Sequence, residues 1–255
     1  MNREQVNERY RMKWDLHTHT VYSHGILYAH GKGTILENAG AAARLGLEEI
    51  AISDHGPGHK LYGLKLAKVP QMREDIAMAK RAFPQVKVRL SVEANIIDSP
   101  NGLDITDEEF ALFDQVIAGY HYGLPKGHMS ANFMSSKRVY PSGSTEALRA
   151  ANTEMTLRAL YSNRILILTH PGDKGPFDID AISKACEETG TWMEINTRHK
   201  HLTVPELKIA QKYDVKFIIS SDAHSPARVG DYEEGVLRAM EAGVDLKRIV
   251  NIEER

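Results

Sequence analysis

Short apolar runs alternate along this chain with longer stretches whose apolar positions recur at helical spacing. The strand-like runs cover residues 13–17, 49–53, 87–92, 115–118, 165–169, 191–196 and 216–221. Several are rich in Val and Ile and nearly continuous in apolar character, as strands buried on both faces are. Between them the pattern predicts helices over 35–45, 69–83, 144–161, 179–189, 204–213 and 232–242. Gly46, Gly190 and Gly243 stand where helix C-terminal caps are expected. Repeated strand–helix units imply a mostly parallel sheet covered by helices. About seven such units suit a distorted (β/α)7, TIM-like barrel better than a small open sheet. No low-complexity tract or composition break marks a linker, so residues 1–255 read as a single domain. The long connections 56–68 and 122–143 are the segments expected to be mobile.

The polar residues that end these strands change the picture from fold to chemistry. The first strand runs into His17-Thr18-His19, and residues two apart on a strand share a face. The second ends Asp54-His55-Gly56, the third Glu93-Ala94-Asn95, the fourth Gly119-Tyr120-His121, and the fifth His170-Pro171-Gly172. The seventh ends Ser221-Asp222-Ala223-His224, a second pair at the same spacing. In a parallel barrel the C-terminal strand ends form the catalytic face. Any one of these histidines could be an ordinary core or surface residue; their convergence on one face, with the helices almost free of histidine, points to a metal cluster. Imidazole and carboxylate without thiolate suit Zn, Mn or Fe.

Several other residues border this cluster. His24, or its neighbour His30, lies on the same rim. His59, His128, His199 and His201 fall in loops and read as exposed or substrate-facing. Asp15 and Asp54 stand beside ligand histidines and either orient them or make ordinary strand-end hydrogen bonds. The sixth strand offers no ligand but ends Glu194-Ile195-Asn196-Thr197-Arg198, so Arg198 could fork onto a phosphate. Arg228 is a second candidate, and Lys174 and Arg138 are weaker ones.

Composition narrows the function classes. With 32 basic and 34 acidic residues the formal charge is −2, which does not suit a dedicated nucleic-acid binder. The one cysteine, Cys186, cannot form an intramolecular disulfide and is expected to be packed in a helix, in keeping with a reducing compartment. The first residues lack the apolar stretch of a signal peptide, and no window is apolar enough for a membrane span, so a cytoplasmic location is expected.

The series of strand-end motifs resembles the PHP (polymerase and histidinol phosphatase) superfamily, in motif order and through nearly the whole chain, and is most like its stand-alone, phosphatase-like branch. The resemblance implies a distorted seven-stranded barrel with two to three divalent ions. By motif, the first ion would be held by His17, His19, Glu93 and Asp222. The second would share Glu93 and add His121 and His170, and the third would take His24, His55 and His224. Glu93, Asp222 and His224 would be catalytic, with Arg198 and Arg228 binding substrate. The expected reaction is hydrolysis of a small phosphate monoester, histidinol phosphate being one example, by a metal-activated hydroxide at a trinuclear centre. No nucleophile-elbow serine or phosphate-binding Gly-rich loop suggests another route. The alternatives are a 3′–5′ exonuclease or nucleotide phosphodiesterase, a non-catalytic metal-binding module, and an amidohydrolase on a similar barrel. Oligomeric state is not expressed in the sequence.

Overall fold

The computed structural model describes residues 1–24, 29–122, 124, 126–136 and 142–255. Parts of the 122–143 connection, Arg138 among them, therefore lie outside the described residues. Nine strands are seen among the described residues: β1 (Tyr10–Met12), β2 (Trp14–Thr18), β3 (Glu49–His55), β4 (Lys87–Asn95), β5 (Gln115–Gly119), β6 (Ile167–Leu168), β7 (Trp192–Asn196), β8 (Phe217–Ser220) and β9 (Ile252–Glu254). The helices are α1 (Arg3–Arg9), α2 (Ile35–Leu45), α3 (Val69–Ala82), α4 (Asp107–Phe110), α5 (Met129–Ser136), α6 (Ser142–Ser162), α7 (Ile179–Thr189), α8 (Val204–Ala210) and α9 (Glu233–Ala242). Strands β2 to β8 form one parallel sheet in sequential order, as βαβ units require. The result is a distorted seven-stranded parallel barrel.

Local chemistry explains where the elements stop. Thr34 caps α2 through a capping box with Glu37, and Gly46, in the left-handed region at φ 72°, ends it. Gly190 and Gly243 end α7 and α9 in the same conformation, as the sequence pattern predicts. Helix α8 is shorter than the 204–213 pattern predicts. Strand β6 keeps only two residues of 165–169, because the chain leaves the sheet to turn at His170, whose φ is 29°. Helices α1, α4 and α5 and the antiparallel pair β1–β9 are additions to the sequence-based picture. Cys186 is buried on α7, and burial pushes its thiol pKa up.

Apolar residues fill two zones. The larger lies between the sheet and the surrounding helices and includes Ile50, Met72, Val88, Ile182 and Val236. The smaller comprises Leu16, Ala51, Ile117, Ile167 and Ile218. Register places Ile117 beside Glu93 and Ile218 beside Glu194, so this second zone faces the barrel interior. Trp14 and Trp192, stacked at 6.5 Å, pack against it. It is a dry floor beneath the strand ends. Among the described residues no helix is long and apolar enough to cross a membrane.

Closure between β2 and β8 is unusual in depending on side chains. The backbone contributes one parallel bridge, Thr18 to Ala223, with His19 N–H donating to Ala223 O at 2.8 Å. Below it, the buried Asp15 carboxylate accepts from Ser221 N (3.2 Å), Ser221 Oγ and Gly230 N (2.8 Å). At the opposite end, Asn251 is inserted like an extra rung. Its Nδ2 donates to Trp14 O (2.8 Å) and Ile219 O (2.7 Å), and its Oδ1 accepts from Ile219 N (3.1 Å).

Removing a buried partner leaves groups unsatisfied at roughly 1–3 kcal/mol each. Asn251→Ala is therefore expected to destabilise the fold by about 2–4 kcal/mol, read as a lower urea midpoint. A midpoint unchanged within error would show that Asn251 is not part of the closure.

Candidate metal centre

The site grows from the register of the sheet. Glu93, near the end of β4, lies level with His55 on β3, and both side chains point into the barrel mouth. Gly119, at the end of β5, faces the Glu93 carboxylate. A Cβ at this position would lie 2.1 Å from Thr169 Oγ1 and 3.1 Å from Glu93 Oε1, so only glycine leaves room for the carboxylate. Thr169 Oγ1 then donates to Glu93 Oε1 at 2.7 Å.

Around the fully buried Glu93 stands a ring of imidazoles. Its Oε1 is 3.3 Å from His17 Nε2 and 3.0 Å from His170 Nε2. Its Oε2 is 3.0 Å from His55 Nδ1, 3.4 Å from His121 Nε2 and 3.7 Å from His19 Nε2. Asp222 closes the other side, its Oδ1 3.2 Å from His19 Nε2 and 3.3 Å from His224 Nδ1. His170 and Asp222 both adopt positive φ, 29° and 48°, which bends the chain at two strand ends toward the centre.

Hydrogen bonds behind the ring set the orientation of its members. His17 Nδ1 meets Glu194 Oε1 at 2.7 Å, while Glu194 Oε2 accepts from His170 N (2.7 Å) and Asn196 Nδ2 (2.9 Å). A carboxylate partner favours hydrogen on Nδ1, so the neutral, ligating form of His17 presents its lone pair at Nε2. That nitrogen faces His19 Nε2 at 3.1 Å. Asn95 Oδ1 meets His121 Nδ1 at 2.8 Å.

The electrostatics call for positive charge. Burial opposes charge on His17, but Glu93, Glu194 and Asp222 overcome it and raise its pKa well above the ordinary value. Burial raises the carboxyl pKa of Glu93, but His121 and His17 hold it well below its ordinary range. Asp222, similarly opposed by burial, is held low by His17 and His19. Burial and neighbouring histidines push His19 and His55 well below theirs, so both favour the neutral, ligating form.

This donor set fits divalent ions. Three sets of ligand atoms lie within 4.8 Å of one another among the described residues: His17–His19–Asp222, His19–His55–His224 and His55–Glu93–His121. Among the described residues, Nε2 of His55 and Nδ1 of His170 are buried without a hydrogen bond. Leaving such atoms unpaired is costly unless something coordinates them. Clustered histidines and carboxylates thus suit two to three divalent ions, with Zn or Mn compatible with the donors.

The expected residues are brought together except at the edges. His24 is exposed, and no close ligand set among the described residues includes it. His30 instead lies near His224, with ring centroids 4.4 Å apart, and stacks on Tyr62 at 4.2 Å. His59 is not exposed as its loop position implied; it is 2% accessible and stacked on Tyr62 at 3.6 Å. His199 lies between Asp173 (3.1 Å) and Asp222 (3.3 Å). Asp15 serves the barrel closure rather than His17. Asp54 binds Thr20 and Ser23, and Ser23 Oγ in turn lies 3.4 Å from His19 Nδ1.

The two arginines differ. Arg198 Nη1 lies 2.6 Å from His224 Nε2 and 3.6 Å from Asp222 Oδ1. Arg228 pairs with Asp231 at 3.0 Å, with both side chains 42% exposed. Lys174 pairs with Asp173. Glu194 and Asn196 are the partners that the sequence reading left without a role. The signal in the residues themselves was their alternate spacing on the sixth strand, which aims both at the interior.

Comparison with known proteins agrees with this geometry. The PHP domain family matches residues 15–198. Asp222 and His224 lie beyond that span, and the sheet carries them back to it. A protein of Caldanaerobacter subterraneus named Probable phosphatase TTE1963 is 30% identical over 240 residues, covering 89% of this chain and 82% of the relative. A second, Probable phosphatase Teth514_1060 of Thermoanaerobacter sp., is 29% identical over 251 residues, covering 93% and 89%. Among solved structures, histidinol phosphate phosphatase from Lactococcus lactis, complexed with zinc, L-histidinol and phosphate, superposes with TM-score 0.61 at 17% identity, over 92% of this chain and 95% of that one. A chain of archaeal ribonuclease P with mature tRNA gives TM-score 0.53 at 12% identity, over 90% and 87%. By its sequence match, its barrel and its ring of strand-end ligands, the chain belongs to the PHP (polymerase and histidinol phosphatase) domain family.

Proposed function

We infer that the chain is a metal-dependent phosphoesterase, and we propose a small phosphate monoester as its substrate. The observation that carries the reading is the buried Glu93 carboxylate, within 3.0–3.7 Å of imidazole nitrogens from His17, His19, His55, His121 and His170. Such an arrangement at the open end of a barrel holds cations where a substrate can reach them. The phosphatase names of relatives at 29–30% identity support hydrolysis of a phosphate ester.

Bound divalent ions supply positive charge for the phosphate oxygens and activate water for attack. The protein supplies the rest. His17, His19, His55, Glu93, His121, His170, Asp222 and His224 are the residues that would hold the ions, with Glu93 common to two positions. His24 is the ligand carried over from the family pattern that the geometry does not support, and His19 stands in its place beside His55 and His224. Glu194 holds His17 and the His170 backbone in place, so that little reorganisation is needed as charge develops. The apolar floor excludes water from below and strengthens each electrostatic interaction above it.

Arg198 is the residue proposed to meet the phosphate. Asn196 Oδ1 accepts from Arg198 N (2.8 Å) and His199 N (2.7 Å), which holds the loop and presents the guanidinium at the rim. A planar fork of donors matches two phosphate oxygens. Arg228, paired with Asp231 at 3.0 Å, is not proposed for the same role. The near-neutral charge of the chain favours a small substrate over nucleic acid.

Chelator-treated protein is expected to lose hydrolysis of an aryl phosphate and to regain it with Mn²⁺ or Zn²⁺, with a melting temperature that rises with ion concentration. Recovery on a bis-aryl diester or labelled single-stranded DNA alone would overturn the monoester assignment. Glu93→Gln is expected to lower bound metal by more than one ion in elemental analysis and kcat by about 100- to 1,000-fold; full retention of metal would contradict its shared role. Arg198→Ala is expected to lower kcat/KM for the monoester by roughly 10- to 100-fold, the worth of a hydrogen bond to a charged group. An unaltered kcat/KM would remove Arg198 from the phosphate site.

A further inference from the structure

We propose that Asp104 is a positioning residue for the metal centre, acting through Asn95 to decide which ring nitrogen of His121 carries hydrogen. The inference rests on His121 being a metal ligand, as proposed above. Asp104 lies on the connection after β4, and among the described residues no hydrogen bond or ion pair joins it to a proposed ligand. Its Oδ1 accepts from Asn95 N at 2.7 Å, and its Oδ2 accepts from Asn95 Nδ2 at 2.6 Å and Gly58 N at 2.7 Å.

The direction of each hydrogen bond follows from what each atom can do. A carboxylate oxygen surrounded by N–H groups accepts. The other neighbour of Asn95 Nδ2 is the carbonyl of Gly56, at 3.2 Å, which also only accepts. The NH₂ of Asn95 must therefore face Asp104 and Gly56, and its Oδ1 is turned the other way. That oxygen is 2.8 Å from His121 Nδ1. An amide oxygen has no hydrogen to give, so His121 Nδ1 carries one, and in the neutral ring Nε2 keeps its lone pair. Nε2 is the atom that looks toward Glu93 Oε2, at 3.4 Å, within the His55–Glu93–His121 set. The opposite tautomer would aim an N–H at the place where a cation belongs.

The surrounding backbone is shaped to this carboxylate. A Cβ on Gly56 would stand 2.5 Å from Asp104 Oδ1, and one on Gly58 would stand 2.8 Å from Oδ2. Both glycines let the turn after β3 close on Asp104, which thereby ties that turn to the end of β4. His17 has a simpler arrangement, with Glu194 directly behind it. For His121 a neutral amide is interposed. It transmits the orientation while keeping a further carboxylate out of a mouth that already holds Glu93, Glu194 and Asp222.

The test reads hydrogen position as well as metal binding. In metal-free wild-type protein, nitrogen–proton NMR correlations, assigned with His121→Gln, are expected to show His121 as the Nδ1–H tautomer. Asp104→Asn is nearly isosteric, but whichever way its amide turns, an N–H group of Asn95 or Gly58 meets another N–H. The variant is expected to show a mixed or Nε2–H tautomer. Its Zn²⁺ affinity, from chelator competition, is expected to fall roughly 10- to 100-fold, as is usual when a partner behind a ligand is lost. A purely structural role for Asp104 would not move the tautomer.

The proposal is overturned if wild-type His121 is the Nε2–H form, or if Asp104→Asn leaves either the tautomer or the Zn²⁺ affinity unchanged. Should that variant fail to fold, the wild-type tautomer decides. A wild-type chain that carries the Nδ1–H form yet binds no Zn²⁺ would overturn the metal-centre reading instead, so the two failures are separable.

Discussion

Three carboxylates, those of Glu93, Glu194 and Asp222, are removed from water at the mouth of one barrel, and the rest of the site answers to that fact. Burying an unpaired carboxylate costs several kcal/mol. The imidazoles that surround these groups offset the cost in part by hydrogen bonding and by sharing protons. Divalent ions would offset it more fully, because each brings two positive charges to oxygens already fixed in place. The apolar interior below makes both cost and attraction larger than they would be in water. Affinity for cations is in this sense a consequence of where the sheet puts its acids, before any substrate is considered.

Orientation is the second requirement. An imidazole can ligate through either ring nitrogen, and a barrel that delivers several of them must choose for each. Glu194 makes the choice for His17, and Asn95 meets the corresponding nitrogen of His121. His199 and Arg198 share the Asn196 side chain as an anchor for their loop. The groups behind the ring are thus as specific in their placement as those within it.

Much of this was legible in the sequence, for physical reasons that particular residues make plain. His17, His55, Glu93, His121, His170 and Asp222 end apolar strand-like runs, and parallel topology forces such ends onto one face. Gly46, Gly190 and Gly243 announced helix ends because few other residues accept positive φ. What escaped notice depends on contacts between distant parts of the chain. Glu194 sits inside an ordinary-looking strand, and only register shows that it faces His17. Asp15 adjoins the HxH pair, and of the two roles open to it the structure shows hydrogen bonds to Ser221 and Gly230. His59 looked exposed because nothing local reveals that Tyr62 folds back over it. The pairing of β1 with β9 joins segments from opposite ends of the chain, where local pattern carries no information.

The junction between β2 and β8 has a consequence in time. Asp15 and Ser221 are 206 residues apart in sequence, and the strands they join carry or run directly into His17, His19, Asp222 and His224. During synthesis the early strands can pair with their neighbours as they emerge, but the ring of ligands stays open until the eighth strand arrives. Contacts so distant are costly to form and come late. A growing chain therefore has several of the imidazoles but not their final arrangement, and the capacity to concentrate cations is acquired in one of the last steps of folding.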